Sequence, residues 1–522
     1  MPTSTPLVKT PNALPCPFFD ALSPSQLTKL LASDDAAQTI WLHNGINKQD
    51  NKSTNYQTDA VNNQGVIGIF PKISWTVYPT NQADYFCMVE ATKKHTSKSH
   101  VSYNEFSDVL VKYCEQQNKL ASQHPLTKVQ QQPNYYNGLM GFIGYDMSAH
   151  ALSHEVAIKP DQPCAFFGHY DVYLTCTVNK GCYQWQLNAA TQNAYQKQQT
   201  VFSWLSQLTI SKAHTAPLTL SLQPVWQLSH YQHAFAKTQD YLYAGDCYQI
   251  NLTQAWQGKL DTKNKLADYL PNLHTHTNAP FAGYLTTRSY EQFSKFELLS
   301  CSPELFFTFN QDKDNQYEII TKPIKGTRPR GNTPLEDDLL KTELAHSEKD
   351  TAENVMIVDL LRNDLGKYAK TGSVNVPTLF AIESYSNVHH MVSTITAKLK
   401  NDTHPIKVLF GSLPAGSITG TPKKRAVEII HELENQPIAN LNDNCHNNQN
   451  LRGAYCGTMG YLNFNGNGQW NVLIRTLQSC SNTVNLWAGG GITIASDCDA
   501  EYQECFDKVG NIVDILANPT KL

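Results

Sequence analysis

Apolar residues recur three and four positions apart in several stretches of the chain, which is the spacing that places them on one face of a helix. One of these stretches is acidic at its start and then apolar from Val355 to Val358, so we expect a single long helix with one buried face. In the last stretch, Ser496 or Asp497 can cap the first turn. The helices predicted in this way cover residues 102–113, 192–208, 228–244, 343–367 and 497–516.

Short runs of aliphatic, aromatic and β-branched residues, bounded by glycine or polar residues, predict strands. Residues 321–331, Thr-Lys-Pro-Ile-Lys-Gly-Thr-Arg-Pro-Arg-Gly, follow one of these runs, and their prolines and glycines predict a loop centred on Lys325. A looser segment at 211–224 predicts a boundary between an N-terminal region, 1–224, and a second region, 225–522. The predicted strands cover residues 138–145, 166–177, 245–253, 281–285, 297–300, 305–309, 317–320, 471–477 and 484–488.

Composition excludes several classes of protein. Hydrophobic residues make up 41 % of the chain, with 20 Phe, 25 Tyr and 8 Trp, which is enough for a large globular core. The net charge of −4 leaves no basic stripe for nucleic acid. The 13 cysteines form no C-x-x-C pair and no signal peptide precedes them, so we expect reduced thiols, a cytoplasmic protein and no structural zinc. No apolar run approaches the roughly 20 residues that span a bilayer, so no membrane association is expected.

The predicted loop 321–331 presents Lys325 at a fixed place. A lysine attacks carbon only as the neutral amine, and the positive charges of Arg328 and Arg330 would favour that state. A solvated lysine in a basic turn explains the same residues, so this stretch alone leaves both interpretations open.

Two predicted helices carry carboxylates three residues apart and therefore on one face: Asp350 with Glu353, and Glu501 with Glu504. If the helices meet, four carboxylates converge and need a counter-ion, for which the hard cation Mg²⁺ is suited. Ordinary solvated helix faces would show the same spacing, so the spacing does not decide between the two.

Arg475 lies in the predicted strand 471–477, whose continuous apolar character suggests burial on both faces. A buried guanidinium requires either an internal salt bridge or a bound anion. Glycine-rich segments at 416–423 and 489–491 expose backbone amides that can approach an anion, the first of them before a predicted helix at 424–434. The first is not a P-loop, because the Gly-Lys-Ser/Thr ending is absent.

Taken together, these segments resemble the family of chorismate-using enzymes, whose members form anthranilate, aminodeoxychorismate, isochorismate and salicylate. The resemblance is close over residues 225–517 and weaker at 41–45. The matching segments are Ser302-Pro303-Glu304, Pro323–Arg330, Lys349–Asn354, Asp359–Asp364, Val388–Ser393, Gly416–Ala426, Gly453–Gly457, Ile474-Arg475 and Gly489–Glu504.

The resemblance implies an α+β fold, a two-sheet α/β/β/α sandwich with helices on the outside and the active site in the catalytic region. It implies that Glu353 and Glu504 bind Mg²⁺ directly and that Asp350 and Glu501 act through water; members that form anthranilate tend to have Glu in place of Asp350. The positions implied to hold chorismate are Arg475, Tyr455, Ser417, Thr419, Thr327, Gly489, Gly490 and Gly491.

Within the family, the lysine position separates activities. Enzymes that form anthranilate resemble this stretch with alanine at Lys325, whereas Pro-Ile-Lys-Gly-Thr is characteristic of members that aminate chorismate at ring carbon 4. We therefore expect Lys325 to add to ring carbon 2, Glu304 to protonate the departing hydroxyl, and His390 to position that group.

The chain has no cysteine motif of a glutaminase, so the resemblance implies a separate glutamine amidotransferase subunit that supplies ammonia, in a heterodimer serving 4-aminobenzoate and folate synthesis. Two alternatives remain: the enzyme component that forms anthranilate, and a non-catalytic regulatory protein that binds chorismate or tryptophan. The stretches that resemble the family's tryptophan pocket are Leu42-His43-Asn44 and Asn278-Ala279-Pro280-Phe281.

Overall fold

The computed structural model describes residues 13–43, 63–80, 85–91, 95–123, 134–208, 218–312, 314, 316–385, 388–435 and 450–519. The strands of this part of the chain are β1 (Ala13–Pro15), β2 (Ile40–Leu42), β3 (Asn63–Gly68), β4 (Ile73–Pro79), β5 (Tyr85–Ala91), β6 (His95–Val101), β7 (Gly138–Ile143), β8 (Ala165–His169), β9 (Val172–Asn179), β10 (Cys182–Ala189), β11 (Gln223–Pro224), β12 (Gln249–Lys259), β13 (Phe281–Thr286), β14 (Phe296–Ser302), β15 (Leu305–Gln311), β16 (Tyr317–Lys322), β17 (Ile324–Pro329), β18 (Asn375–Ser384), β19 (Val388–Lys398), β20 (Gly420–Thr421), β21 (Thr458–Asn463), β22 (Gly468–Val472), β23 (Thr476–Cys480) and β24 (Thr483–Ile492).

The helices of the same residues are α1 (Pro24–Leu31), α2 (Tyr103–Gln123), α3 (Tyr145–Leu152), α4 (Tyr195–Gln207), α5 (Leu228–Tyr243), α6 (Leu270–Thr277), α7 (Pro334–Ala345), α8 (Glu348–Gly366), α9 (Pro405–Ser412), α10 (Lys423–Glu434) and α11 (Cys498–Ala517). None of the helices just named is long and apolar enough to cross a bilayer.

The strands form two antiparallel sheets of twelve strands each. The first has the order β1-β10-β9-β3-β2-β13-β14-β23-β24-β12-β11, with β20 also paired to β12, and the second has the order β17-β19-β16-β15-β22-β21-β7-β8-β4-β5-β6, with β18 also paired to β19. Each sheet combines strands from before and after residue 225: β2 pairs with β13, and β7 pairs with β21.

Three of the four hydrophobic clusters in the described part of the chain define the layers. One is built from strand side chains of both sheets, such as Phe142 and Phe296, which stack between them. A second lies between the first sheet and α1, α4, α5, α6, α10 and α11, and a third between the second sheet and α2, α3, α8 and α9. The α/β/β/α sandwich with outer helices is therefore confirmed.

Side chains alternate between the two faces of a strand, so one strand contributes to hydrophobic cores on both sides of its sheet. In β24, Leu486 and Ala488 pack into the core under the helices of the first sheet, whereas Trp487 between them points to the opposite face and stacks on Tyr455. Successive strand side chains point to opposite faces, so this pattern fixes which residues can reach the space between the sheets.

Several predicted elements have different bounds. The predicted strand 166–177 is two strands in different sheets, β8 and β9, and the strand predicted at 245–253 begins only at Gln249 and runs to Lys259. The single helix predicted at 343–367 is wrong: α7 ends at Ala345 and α8 begins after Ser347. The Ser347 side chain accepts a hydrogen bond from the Asp350 N–H at 3.2 Å and so caps a new helix. The segment 440–450 is rich in asparagine, a composition that predicts an exposed loop, but it lies almost wholly outside the described residues.

A buried ion pair links α10 to the segment after it. Arg452 and Glu434 are 1 % and 2 % exposed, and Arg452 Nη2 lies 2.7 Å from Glu434 Oε1. Arg452→Met leaves the Glu434 carboxylate buried without its cation, so we expect a loss of about 3–5 kcal/mol in the free energy of unfolding. Denaturant titration of the purified variant measures it. The double variant Arg452→Met/Glu434→Met should recover part of that loss, and equal stability of wild type and Arg452→Met would contradict the prediction.

Candidate active site

A cavity of ≈ 710 Å³ lies where β12, β17, β24, α8 and α11 approach one another. Most residues that the sequence singled out line its wall, although they come from distant parts of the chain. These are Lys325, Glu304, His390, Arg475, Tyr455, Ser417, Thr327, Gly489, Gly491, Glu353, Glu504, Asp350 and Glu501.

Two predicted site residues do not line the cavity. Thr419 is fully buried, and its hydroxyl donates to the Ala415 carbonyl oxygen at 3.1 Å. Gly490 lies within β24, and a Cβ built there would lie 2.7 Å from Glu501 Oε2. The glycine run 489–491 is therefore part of a strand paired with β12 and not a loop after one. At Gly490, the absence of a side chain makes room for a carboxylate.

Lys325 lies on a strand, so the loop predicted at 321–331 is wrong. β17 is the terminal strand of the second sheet, and its pairing with β19 shifts by one residue between Ile324 and Thr327. Lys325 and Gly326 form this bulge, a feature that re-aims side chains. Gly326 has φ +88°, and a Cβ there would lie 2.8 Å from Asp350 Cγ, so both the backbone and the neighbouring helix require glycine.

The sequence predicted that the positive charges of Arg328 and Arg330 act on Lys325, but both side chains pair with carboxylates. Arg328 pairs with Glu343 at 2.8 Å and with Asp350 at 3.4 Å, and Arg330 forms a two-point pair with Asp337. These guanidiniums are already compensated. Lys325 Nζ itself lies 3.5 Å from Glu353 Oε2, so its direct charged neighbour is a carboxylate of α8.

Helices α8 and α11 bring the predicted carboxylates to one cavity. Each carboxylate has a cationic partner. Two partners come from β17: Arg328 pairs with Asp350, and Lys325 pairs with Glu353. The other two come from the helices: Lys349 pairs with Glu501 at 3.1 Å, and Lys508 pairs with Glu504 at 2.5 Å. Glu501 also accepts a hydrogen bond from the Ser496 hydroxyl at 2.8 Å. The result is an alternating cluster of acids and lysines.

The electrostatics of this cluster can be stated by direction. Burial raises the pKa of Glu353, opposed by Lys325 and Lys349 and reinforced by the charges of Glu501 and Glu504. Burial also acts to raise the pKa of Glu504, but Lys508 outweighs it and holds that pKa below its usual range. Glu353 is therefore an acid whose charged form gains from any additional cation nearby.

The donor set suits a hard divalent cation, since it consists of carboxylate oxygens only. In the described part of the chain, however, no three His, Cys, Asp or Glu side chains are arranged as metal ligands, and lysine ammonium groups pair with three of the carboxylates. Mg²⁺ fits this chemistry if it replaces lysines as the counter-ion, above all Lys325 at Glu353.

Glu304 is a buried acid with an elevated pKa. It is 6 % exposed, and burial raises its pKa to about 7, against the opposing effects of Lys325 and of a hydrogen bond from Ser417. The Ser417 hydroxyl donates to Glu304 Oε1 at 3.2 Å. A carboxyl group with such a pKa holds a proton near neutral pH and can give it to a leaving group.

Arg475 is not in a strand, which corrects the prediction for 471–477. The chain leaves the second sheet at Val472 and enters the first at Thr476, and Arg475 lies at the crossing with φ +50°. Among the described residues its guanidinium forms no ion pair or hydrogen bond, and burial lowers its pKa. A desolvated, unpaired guanidinium on a cavity wall is a site for an anion.

His390 lies beside Arg475 and is neutral. Burial and the positive charge of Arg475 lower its pKa to about 3, with a smaller contribution from His389. Its Nδ1 lies 2.8 Å from the Thr327 hydroxyl, across the β17–β19 pair. His390 can therefore donate or accept a hydrogen bond in the cavity but cannot carry charge near neutral pH.

Four further cavity residues were missed in the sequence. Lys508 had a recognisable signal, since it lies four residues after Glu504 on the same helix face. Lys349 directly precedes Asp350 in the sequence, and no sequence signal marked it as a cavity residue. Asn251 and Trp487 are interior strand positions, and each has a buried polar atom without a partner in the described structure. Nothing in their sequence context distinguishes them from core residues.

The stretches predicted for tryptophan are adjacent. β2 pairs with β13, and the His43 N–H donates to the Ala282 carbonyl oxygen at 2.9 Å. The His43 and His274 rings lie 5.1 Å apart, next to Trp41. Asn278 ends α6 and lines a second cavity of ≈ 130 Å³ that shares Arg475 with the large one. Asn44 lies outside the described residues.

This arrangement agrees with what comparison with known proteins shows. A family model described as chorismate binding enzyme matches residues 80–514. The chain belongs to the chorismate binding enzyme family. Among relatives in this family, aminodeoxychorismate synthase component 1 of Escherichia coli (strain K12) is 38 % identical over 387 residues, which cover 73 % of this chain and 77 % of that protein. The same component of Klebsiella aerogenes is 37 % identical, over 75 % of this chain and 83 % of its own length.

A solved structure has the same fold as this chain. The crystal structure of anthranilate synthase component I from Streptococcus pneumoniae TIGR4 superposes with a TM-score of 0.67 at 22 % identity, over 88 % of this chain and 94 % of that one. The family model begins well before residue 225, which agrees with sheets that combine strands from both regions of the chain.

Proposed function

We propose that this chain is the chorismate-aminating component of an aminodeoxychorismate synthase, which converts chorismate and ammonia to 4-amino-4-deoxychorismate. The observation that carries the proposal is Lys325, whose amine is aimed by a β-bulge into the cavity that also holds the buried acid Glu304. Relatives that are 38 % and 37 % identical over 73 % and 75 % of this chain bear the name aminodeoxychorismate synthase component 1.

Chorismate carries two carboxylates, so its site needs positive charge that is not already compensated. Arg475 meets this requirement, because it lines the cavity and has no acidic partner among the described residues. We assign one carboxylate to Arg475, with the Tyr455 side chain and the strand at Gly489 and Gly491 forming the adjacent wall. Ser417 and Thr327 then face the ring region, where each already holds a reacting side chain by hydrogen bond.

For the second carboxylate we propose Mg²⁺ held by Glu353 and Glu504, with Asp350 and Glu501 acting through water. When bound, Mg²⁺ would neutralise the ring carboxylate and withdraw electron density from the ring. Its effect on the protein is equally important. Engaging Glu353 removes the acid that pairs with Lys325 at 3.5 Å and so favours the neutral amine.

The residues then perform two displacements. Nζ of neutral Lys325 forms a bond to ring carbon 2, and both ring double bonds shift, from C1=C2 to C1=C6 and from C5=C6 to C4=C5. The bond between carbon 4 and its hydroxyl oxygen breaks as Glu304 gives that oxygen a proton and water leaves. Ammonia next forms a bond to carbon 4, and the bond from carbon 2 to Nζ breaks with its electron pair returning to nitrogen. The product ammonium gives its extra proton to the Glu304 carboxylate, which restores the enzyme.

His390 has a supporting role in this proposal. Because it is neutral and its ring is held through Thr327 and the β17–β19 pair, it can accept or donate one hydrogen bond to the leaving hydroxyl without competing with Glu304 as proton donor.

The ammonia source lies on another chain in this proposal. We propose a glutamine amidotransferase subunit as partner in a heterodimer in the cytoplasm, and a separate lyase that removes pyruvate to give 4-aminobenzoate for folate synthesis. The word component in the names of the relatives supports a second subunit.

Product identification tests the proposed function. The purified chain is incubated with chorismate, ammonium and Mg²⁺, and the products are separated by liquid chromatography and identified by mass. We expect 4-amino-4-deoxychorismate with its enolpyruvyl group retained, and loss of activity when EDTA removes the metal. Release of pyruvate with an ortho-amino product would instead identify an anthranilate-forming enzyme, and unchanged chorismate would favour a binding protein.

A further inference from the structure

Asn251 presents a buried acceptor to the cavity without any donor to satisfy it. The residue is 7 % exposed and lines the cavity, and its side-chain Oδ1 has no hydrogen-bond partner among the described residues. Buried polar atoms in folded proteins nearly always have a partner, so an orphaned acceptor on a cavity wall indicates a ligand that brings a donor.

The backbone of Asn251 is held on both sides, which fixes where its side chain points. Its N–H donates to the Thr419 carbonyl oxygen at 2.7 Å, and its carbonyl oxygen accepts from Arg452 Nη2 at 2.8 Å. The neighbouring strand residue is Gly491, which has no side chain to satisfy the amide. The strand position that carries the acceptor is thus held in place, and its paired neighbour offers the amide no side-chain partner.

The same contacts place Asn251 near Glu304. The segment that binds the Asn251 N–H is Ser417-Ile418-Thr419; Ser417 donates to Glu304 Oε1 at 3.2 Å, and Arg452 Nη1 donates to the Ile418 carbonyl oxygen at 3.2 Å. Asn251 and Glu304 therefore border one part of the cavity. In the proposed reaction, that part holds the hydroxyl on carbon 4 and, after it leaves, the incoming nitrogen.

We propose that Asn251 Oδ1 binds ammonia, accepting one of its N–H groups so that the nitrogen lone pair points at carbon 4. Ammonia has three N–H donors and one lone pair, so an acceptor opposite the electrophilic carbon orients it for attack. This inference rests on the proposed function and deepens it, because it gives the second substrate a binding residue.

The test separates ammonia binding from the earlier covalent step. In Asn251→Leu, which has a similar shape and no acceptor, we expect the KM for ammonia to rise by about tenfold or more, with the KM for chorismate within about twofold of wild type. The enzyme quenched with chorismate and Mg²⁺ in the absence of ammonia should form the Lys325 adduct at the wild-type rate. An unchanged KM for ammonia would overturn the proposal.

Gln254→Leu is the matched control. Gln254 is also a fully buried β12 amide without a partner in the described structure, but it does not line the cavity. We expect Gln254→Leu to have wild-type KM values for both substrates. If its KM for ammonia rose as much as in Asn251→Leu, the effect would come from altered packing of β12 and not from a lost contact with ammonia. If wild type itself forms no Lys325 adduct, the proposed function fails instead, which the quench shows before any KM is compared.

Discussion

Replacing Lys325 by alanine should lower the rate of amination at carbon 4 by at least about 10³-fold, because the variant lacks the only nucleophile that we assign to the first step. The loss should appear in kcat, with chorismate still bound, since Arg475 and the carboxylates remain in place. Steady-state rates with ammonium as nitrogen source, together with the dissociation constant of chorismate, measure both effects.

Two further measurements make this result specific. Intact-protein mass spectra after quenching with chorismate and no ammonia should show an adduct on wild type that maps to Lys325 and is absent from the variant. Lys322→Ala is the matched control, because Lys322 lies three residues earlier, pairs with Glu383 and does not line the cavity. A Lys325→Ala variant that aminates chorismate at the wild-type rate, or an adduct on another residue, would refute the covalent step.

The second large effect is expected at Glu304. Glu304→Gln keeps the size of the side chain but cannot give up a proton, so the rate of adduct formation should fall by roughly 10²–10⁴-fold. Since the ion pairs of Glu353, Glu501 and Glu504 are unaffected, metal and chorismate binding should change little. Single-turnover kinetics without ammonia measure this step alone.

The pH dependence follows from the same residue. Burial raises the pKa of Glu304 to about 7, so the protonated, proton-donating form predominates below that pH and is lost above it. Adduct formation by wild type should therefore decline about tenfold per pH unit above roughly 7.

In Glu304→Gln, the decline on the alkaline side should disappear. Glu318→Gln, a change at a half-buried carboxylate of β16 outside the cavity, should keep the wild-type profile. If Glu304→Gln retains the same alkaline limb, another group controls it and Glu304 is not the acid.

The sequence predicted which residues meet better than it predicted the backbone that carries them. Lys325 was expected on a loop because prolines and glycines surround it. A terminal strand with a bulge tolerates the same residues, since Pro329 needs no partner at a sheet edge and Gly326 adopts the positive φ of the bulge. Prolines and glycines near Lys325 do not distinguish a loop from a bulged edge strand. The strand that pairs with β17 is β19, which lies some 60 residues later in the sequence.

The backbone at Arg475 was predicted wrongly for a different reason. The apolar run around it was interpreted as one doubly buried strand, whereas the chain passes there from one sheet to the other. Both environments are apolar, so hydrophobicity alone cannot locate the crossing. Asn251 and Trp487 gave no signal at all, because a cavity wall built from strand interiors has the same composition as a core.

The pairing of early and late strands has a consequence for how this enzyme can be divided. The N–H of Tyr136 donates to the side chain of Asn463, 327 positions away, and β7 lies beside β21 along its whole length. A polypeptide starting at residue 225 would expose the β21 and β13 edges and the apolar faces that β7 and β2 cover, which invites aggregation. The residues that line the large cavity belong to the second region of the chain, but the integrity of their scaffold depends on both regions.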